Sequence, residues 1–214
     1  MKHIFFDLDG TLVDSKRDLA DSINHTLQVF NLKPLDDKEI FSFVGNGVRR
    51  LVEDTLLKKN KIELFDRFMA EFLDYYDKHL LDNTKLYDGF GEVLNRLNEK
   101  DIDMFVVSNK SYRFVYKILE GLGIKKYFKD FVGGDSFPFK KPDPYPIIAL
   151  SKKHNIFLKN SFVVGDSEND ILAAKNAKVK IGWVVFGFRD KGILKKFSVD
   201  YVINHPFDLI EIVR

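Results

Sequence analysis

The sequence predicts an α/β protein: a parallel sheet with helices on both faces, carrying an inserted block of helices. Three observations predict it. A short apolar run over residues 3–8 ends in Asp7, Asp9 and Gly10, as a buried strand running into a turn would. From about Ser15 to Lys85 apolar residues instead recur at helical spacing. After Tyr87, Asp88 and Gly89, strand-like and helix-like segments alternate to the end, the pattern of parallel strands joined by crossover helices.

Taken in order, the first strand covers residues 3–8 and places its acids at its C-terminal end. In the helical block, Leu19, Ile23, Leu27 and Phe30 mark one apolar stripe, and Leu64, Phe68, Phe72 and Tyr76 mark another. Pro34 with Asp36 and Asp37 signals one helix break and restart, and Gly45 with Gly47 signals a second. The later strand candidates are Ile102 to Val107, Ser161 to Val164, Ile181 to Phe186 and Tyr201 to Ile203. The expected division is therefore a core of residues 1–14 and 87–214 with a helical domain of residues 15–86 inserted after the first strand. Ligands of such sheets bind outside the carboxyl ends of the strands, where loops from several strands converge. Asp7 and Asp9, Ser108 and Asn109, and Gly165, Asp166 and Ser167 all fall at such ends.

Composition narrows the classes. A chain of 214 residues with 45% apolar residues can bury a substantial core, which excludes disordered and collagen-like proteins. No apolar run approaches the roughly 18 residues that span a bilayer, and the start MKHIFFDLDG lacks the features of a signal peptide, so the expectation is a cytoplasmic protein without a membrane partner. Zero cysteines remove disulfides, thiolate nucleophiles and zinc-thiolate sites. The net charge of +2 is the difference of 34 basic and 32 acidic residues with no dominant basic tract, which argues against nucleic acid as a partner.

The segment DLDGTLVDS, Asp7 to Ser15, sets two carboxylates two positions apart before a glycine that permits a sharp turn. A carboxylate at Asp7 can attack phosphorus to give an acyl phosphate. Asp9 is placed to protonate a leaving oxygen and then deprotonate a water. A calcium loop is excluded because Leu12 stands where its glycine is required, whereas simple capping of the next helix remains open from the segment alone. In VVGDSENDILAAKNA, Val163 to Ala177, Asp166 and Asp170 lie four apart at a helix start. With Asp7 they would suit magnesium, which takes one or two carboxylates and keeps waters and phosphate oxygens. The competing reading is that Asp166 and Ser167 cap the helix. A transferring phosphoryl group also needs a fixed cation and hydrogen-bond donors. FKKPDPYP offers Lys140 and Lys141 in a proline-stiffened loop, and Ser108 with the amides after it offers donors near a helix start, although Ser108 or Ser111 can equally be caps.

In order and across essentially the whole chain, DLDGTLVDS, VVSNK, KKPDP and GDSEND resemble the four motifs of the haloacid dehalogenase-like superfamily, in its phosphatase branch. The resemblance implies a Rossmann-like core with a helical cap, and a magnesium-dependent phosphatase of small phosphate esters; the sequence leaves the assembly open between monomer and homodimer. By resemblance, Asp7 is the nucleophile, Asp9 the acid/base and Lys141 the charge-neutralising lysine. Gly10, Thr11, Ser108 and Asn109 surround the phosphate. The implied magnesium ligands are Asp7, the backbone carbonyl of Asp9 and Asp166, with Asp170 in support. Dehalogenases of the superfamily need no metal and lack an acid at the position of Asp9, so this chain departs from them. FVGNGVRRLVEDTL, KKPDP and DYVINHPFDLIEIV further resemble phosphoglycolate phosphatases, although related pyrophosphatases, sugar-phosphate phosphatases and phosphomutases share much of this. Asn46, Arg49 and Arg50 are candidates to face the substrate, an arginine suiting glycolate's carboxylate; a solvated arginine face is the alternative.

Overall fold

The computed structural model describes residues 1–213. It divides into two compact units, Met1–Asp14 with Leu86–Arg214, and Ser15–Lys85. The chain starts with β1 (His3–Phe6) and β2 (Val13–Asp14). The helical unit follows with α1 (Lys16–Val29), α2 (Asp37–Phe43), α3 (Val48–Lys58) and α4 (Phe65–His79). After β3 (Lys85–Leu86) come α5 (Phe90–Glu99), β4 (Asp103–Val107), α6 (Tyr112–Gly121), β5 (Asp130–Val132) and α7 (Tyr145–Lys153). The chain closes with β6 (Ser161–Gly165), α8 (Glu168–Asn176), β7 (Lys180–Val184), β8 (Tyr201–Ile203) and α9 (Asp208–Ile212). β2 and β3 pair as a separate ribbon where the chain leaves and re-enters the first unit.

The first unit is a six-stranded parallel sheet in the order β5-β4-β1-β6-β7-β8. Strands near its centre read as unbroken apolar runs because both faces are covered. On one face Phe5 stacks on Phe105 with ring centroids 5.2 Å apart, in a cluster with Ile147 and Leu150 of α7 and Ile171 and Ala174 of α8. On the other, Phe6 meets Phe90 of α5 edge-on at 6.2 Å. Phe6 pairs with both Val106 and Val164, so β1, β4 and β6 end level and their C-terminal loops emerge side by side.

Several strand ends differ from expectation, β1 stopping at Phe6 rather than at residue 8, and one strand, β5, was not expected. The strand expected over Ile181 to Phe186 is Lys180–Val184, and Phe186 leaves the sheet to pack on Tyr87 with centroids 4.9 Å apart. β5 carried no sequence signal, because its three residues form an edge strand with no alternation to read. In the helical unit, Leu19, Ile23 and Leu27 are buried, as are Phe68, Phe72 and Tyr76. Asp36 caps α2 by accepting from Lys38 N–H at 3.2 Å, and Gly47 precedes α3 with φ of 87°, a conformation that favours glycine. The Asp18 carboxylate, 2% exposed, accepts from the backbone N–H groups of Asn83 and Thr84 and from both of their side chains, tying α1 to the end of the helical segment.

Candidate active site

Asp7 follows the last residue of β1, and its N–H donates to Val164 O at 2.9 Å, which continues the sheet to the carboxylate itself. After Leu8 and Asp9 the chain turns sharply: Gly10 adopts φ of +82° and donates to Val13 O at 2.9 Å. A Cβ at Gly10 would lie 2.4 Å from Asp166 Oδ2, and one at Gly187 would lie 2.3 Å from Asp166 Cβ. The two glycines thus let backbone close on the Asp166 carboxylate from two loops. Asp166 is fixed there by Phe188 N–H, which donates to Oδ2 at 2.7 Å, and by Trp183 Nε1, which donates to its carbonyl at 2.6 Å.

The cap of α8, expected from Asp166 and Ser167, is formed instead by Ser167 with Asp170. Asp170 Oδ2 accepts from Ser167 N–H at 3.0 Å and Ser167 Oγ at 2.6 Å, completing a capping box at the start of α8. Its Oδ1 lies 2.6 Å from Lys141 Nζ, which in turn lies 2.7 Å from Asp7 Oδ1. Lys141 is 4% exposed, so its ammonium is held between two buried carboxylates. Asn109 Nδ2 donates to Lys141 O at 2.9 Å and anchors the lysine's backbone. Asp7, Asp166 and Asp170 each offer an oxygen within 4.8 Å of the others.

Burial sets the electrostatics. It pushes the Asp7 carboxyl up to about 7, opposed by Lys141 and assisted by the charge of Asp170. Burial likewise raises Asp166 well above the carboxylate range, with Asp7 and Asp170 adding to it. Lys141 is raised because the attraction of Asp170 and Asp7 outweighs the cost of burial. A buried, all-oxygen cluster of three carboxylates, two of them meeting one ammonium, fits a small hard dication, which would offset the burial and mutual repulsion that raise Asp7 and Asp166.

The other candidates are distributed as follows. The Asp9 side chain is outside the acidic triad; Lys110 Nζ holds its two oxygens at 3.0 and 3.1 Å. Ser108 is 4% exposed, and its Oγ accepts from Lys110 N–H at 3.1 Å. Thr11 Oγ1 and Asn109 Oδ1 are buried with no protein hydrogen-bond partner, as groups awaiting a polar ligand would be. Asn46, Arg49 and Arg50 belong to the helical unit. Arg49 pairs with Glu53 at 3.0 Å and lies over Phe65 at 4.8 Å, while Arg50 pairs with Asp54 at 2.8 Å. Both arginines are therefore engaged along α3, and Arg49 also lines a surface pocket of about 420 Å³ with Leu57, Ile62 and Phe65.

Lys110 and Trp183 were not singled out from the sequence. Lys110 had one available signal, its place at the end of VVSNK beyond a strand; Trp183 had none, since a tryptophan inside an apolar strand reads as core.

Residues 4–184 match the family model described as haloacid dehalogenase-like hydrolase. The phosphoglycolate phosphatase of Vibrio parahaemolyticus is 36% identical, the match covering 100% of this chain and 96% of that protein. That of Aquifex aeolicus is 33% identical, covering 100% and 97%. Among solved structures, a predicted phosphoglycolate phosphatase from Haemophilus somnus superposes with a TM-score of 0.94 at 32% identity, covering 100% of this chain and 98% of that one.

Proposed function

We propose, from the premise that this chain belongs to the haloacid dehalogenase-like hydrolases, that it is a magnesium-dependent phosphatase of small phosphate monoesters, with 2-phosphoglycolate its preferred substrate. The observation that carries the reading is the Lys141 ammonium held between Asp7 and Asp170 beside Asp166, at the level ends of β1 and β6. The substrate follows from full-length relatives named phosphoglycolate phosphatase. The helical unit is assigned the role of a cap that selects among esters.

In the first step an Asp7 oxygen attacks phosphorus, the bond from phosphorus to the ester oxygen breaks, and that oxygen takes a proton from Asp9. Water then attacks the aspartyl phosphate, giving its proton to Asp9, and the bond to Asp7 breaks to release inorganic phosphate. Lys141 neutralises charge on Asp7 and the phosphoryl oxygens, while Ser108, Thr11 and the amides of the Gly10 turn are the donors around them. Magnesium, held by Asp7 and Asp166 with the Asp9 carbonyl and with Asp170 in support, would supply charge neutralisation for the phosphoryl group.

The test is kcat/KM for phosphoglycolate, pyrophosphate, β-glucose 1-phosphate and a phosphate ester with a neutral tail, in wild type and in Arg49→Ala and Arg50→Ala. A charge-assisted contact to the glycolate carboxylate is worth about 1.5 to 3 kcal/mol, roughly a ten- to hundredfold preference over the neutral ester. A top rank for pyrophosphate or the sugar phosphate replaces the substrate assignment and leaves Asp7 standing. Unchanged selectivity in both arginine variants removes α3 as the carboxylate's partner.

A further inference from the structure

We propose that Lys110 is a positioning residue for the acid/base step, holding the Asp9 carboxylate apart from the Asp7–Asp166–Asp170 cluster and oriented toward the leaving oxygen. The inference rests on the reading of Asp7 as nucleophile and Asp9 as acid/base. Two buried ammonium groups divide the acids between them. Lys141 meets Asp7 and Asp170, whereas Lys110 Nζ meets both oxygens of Asp9, at 3.0 and 3.1 Å. The pair is enclosed, with side-chain exposures of 7% for Lys110 and 14% for Asp9. A freely rotating carboxylate two residues from Asp7 could turn an oxygen into the acidic cluster and be lost to proton transfer. Contact with both oxygens selects one rotamer.

The lysine is itself built to be rigid. Its N–H donates to Ser108 Oγ at 3.1 Å, and its carbonyl accepts from Gly134 N–H at 2.8 Å. The loop after β5 reaches this backbone only because it carries two glycines. A Cβ on Gly133 would lie 2.6 Å from Lys110 O, and one on Gly134 would lie 2.4 Å from Asn109 O. A lysine normally loses much rotamer freedom when it makes a fixed contact. Here burial and the pinned backbone impose that order in the folded protein, so Lys110 can set the direction of Asp9 rather than follow it.

The experiment compares Lys110→Met and Lys110→Arg with wild type on p-nitrophenyl phosphate, whose leaving oxygen needs no proton, and on an alkyl phosphate, whose leaving oxygen does. The readout is kcat/KM, which covers only the steps through release of the alcohol. Positioned proton transfer contributes roughly 10²- to 10⁴-fold. Lys110→Met is therefore expected to lose on the order of 100-fold or more on the alkyl ester, and less than about tenfold on the nitrophenyl ester. Lys110→Arg, which keeps a cation, should recover part of the alkyl-ester loss. Equal losses on both esters in a variant whose thermal melt matches wild type, or wild-type values on both, overturn the proposal; if Lys110→Met melts early, the same comparison is read from Lys110→Arg, where equal losses on both esters likewise overturn it. Asp7→Asn is assayed in parallel. If it retains turnover, the nucleophile reading fails; if it is inactive while Lys110→Met loses equally on both esters, only the role of Lys110 fails.

Discussion

Asp7, the proposed nucleophile, is a buried carboxyl pushed up to about 7. Its replacement by Asn keeps the size of the side chain but cannot form an acyl phosphate, so turnover should fall by a factor on the order of 10³ or more with the circular dichroism spectrum unchanged. Turnover near wild type would remove the nucleophile assignment. The raised proton affinity of the Asp7 carboxyl gives a second expectation. Below about 7, metal-free protein holds a proton there that magnesium must displace, so apparent magnesium affinity should weaken by about tenfold from pH 8 to pH 6. Magnesium titrations of activity at the two pH values measure this, and equal half-saturation points would contradict it. The stability consequence has a defined sign. The folded carboxyl binds its proton more tightly than the unfolded one, near 3.8, so its contribution is complete below that pH and is lost as pH rises through about 7. Without metal, the melting temperature of wild type minus that of Asp7→Asn should therefore decline from pH 4 to pH 7. At this scale Asp7, Asp166 and Asp170 stood out because each lies in a short polar segment just past an apolar run, whereas Lys141 was separated from Lys140 only by the resemblance of KKPDP to a family motif. The partner of Asp9 was not legible: a lysine carries no mark of burial in sequence, and its pairing spans 101 positions.

Elements show the same division between local and distant information. The start of α2 was readable from Pro34, Asp36 and Asp37 because a cap acts within three residues of itself. At α8 the cap pairs Ser167 with Asp170 rather than with Asp166, and Asp170 gives its other oxygen to Lys141. β5 and the early end of β7 were not readable, since sheet-edge pairing and the packing of Phe186 on Tyr87 depend on contacts far along the chain. Asp18 makes a prediction at this scale. It would pass for an acid in the exposed first turn of a helix, yet it is buried and receives hydrogen bonds from Asn83 and Thr84, more than 60 positions away. Asp18→Ala strands two backbone N–H groups and should cost about 2 to 4 kcal/mol, read as a lower urea midpoint. Asp18→Asn keeps one acceptor oxygen and should lose less. An unchanged midpoint in Asp18→Ala would show that the clamp adds nothing to stability.

Across the whole molecule, the change from strand-helix alternation to helical periodicity puts the unit boundary beside Leu86, while the compact units divide between Lys85 and Leu86. The sequence reading of 15–86 rests on the different apolar periods that the two kinds of packing impose on their own segments, and the contacts place Leu86 with the sheet-bearing unit instead. Every acid and lysine assigned to phosphoryl transfer belongs to the sheet-bearing unit: Asp7, Asp9, Lys110, Lys141, Asp166 and Asp170. Within that unit the two cut ends are already adjacent, since Tyr87 N–H donates to Leu12 O at 3.1 Å. Replacing residues 15–85 with a short Gly/Ser linker should therefore leave a chain that folds around its own buried strands. If the helical unit is the selecting cap, this shortened chain keeps magnesium-dependent hydrolysis of very small esters such as acetyl phosphate. It should lose the preference for phosphoglycolate over a neutral ester of similar size, because Asn46, Arg49 and Arg50 leave with the helices. The measurement is the ratio of kcat/KM values for the two esters in the full and shortened chains. A ratio unchanged by the deletion would assign substrate choice to the sheet-bearing unit and end the role of the helical unit as a selector.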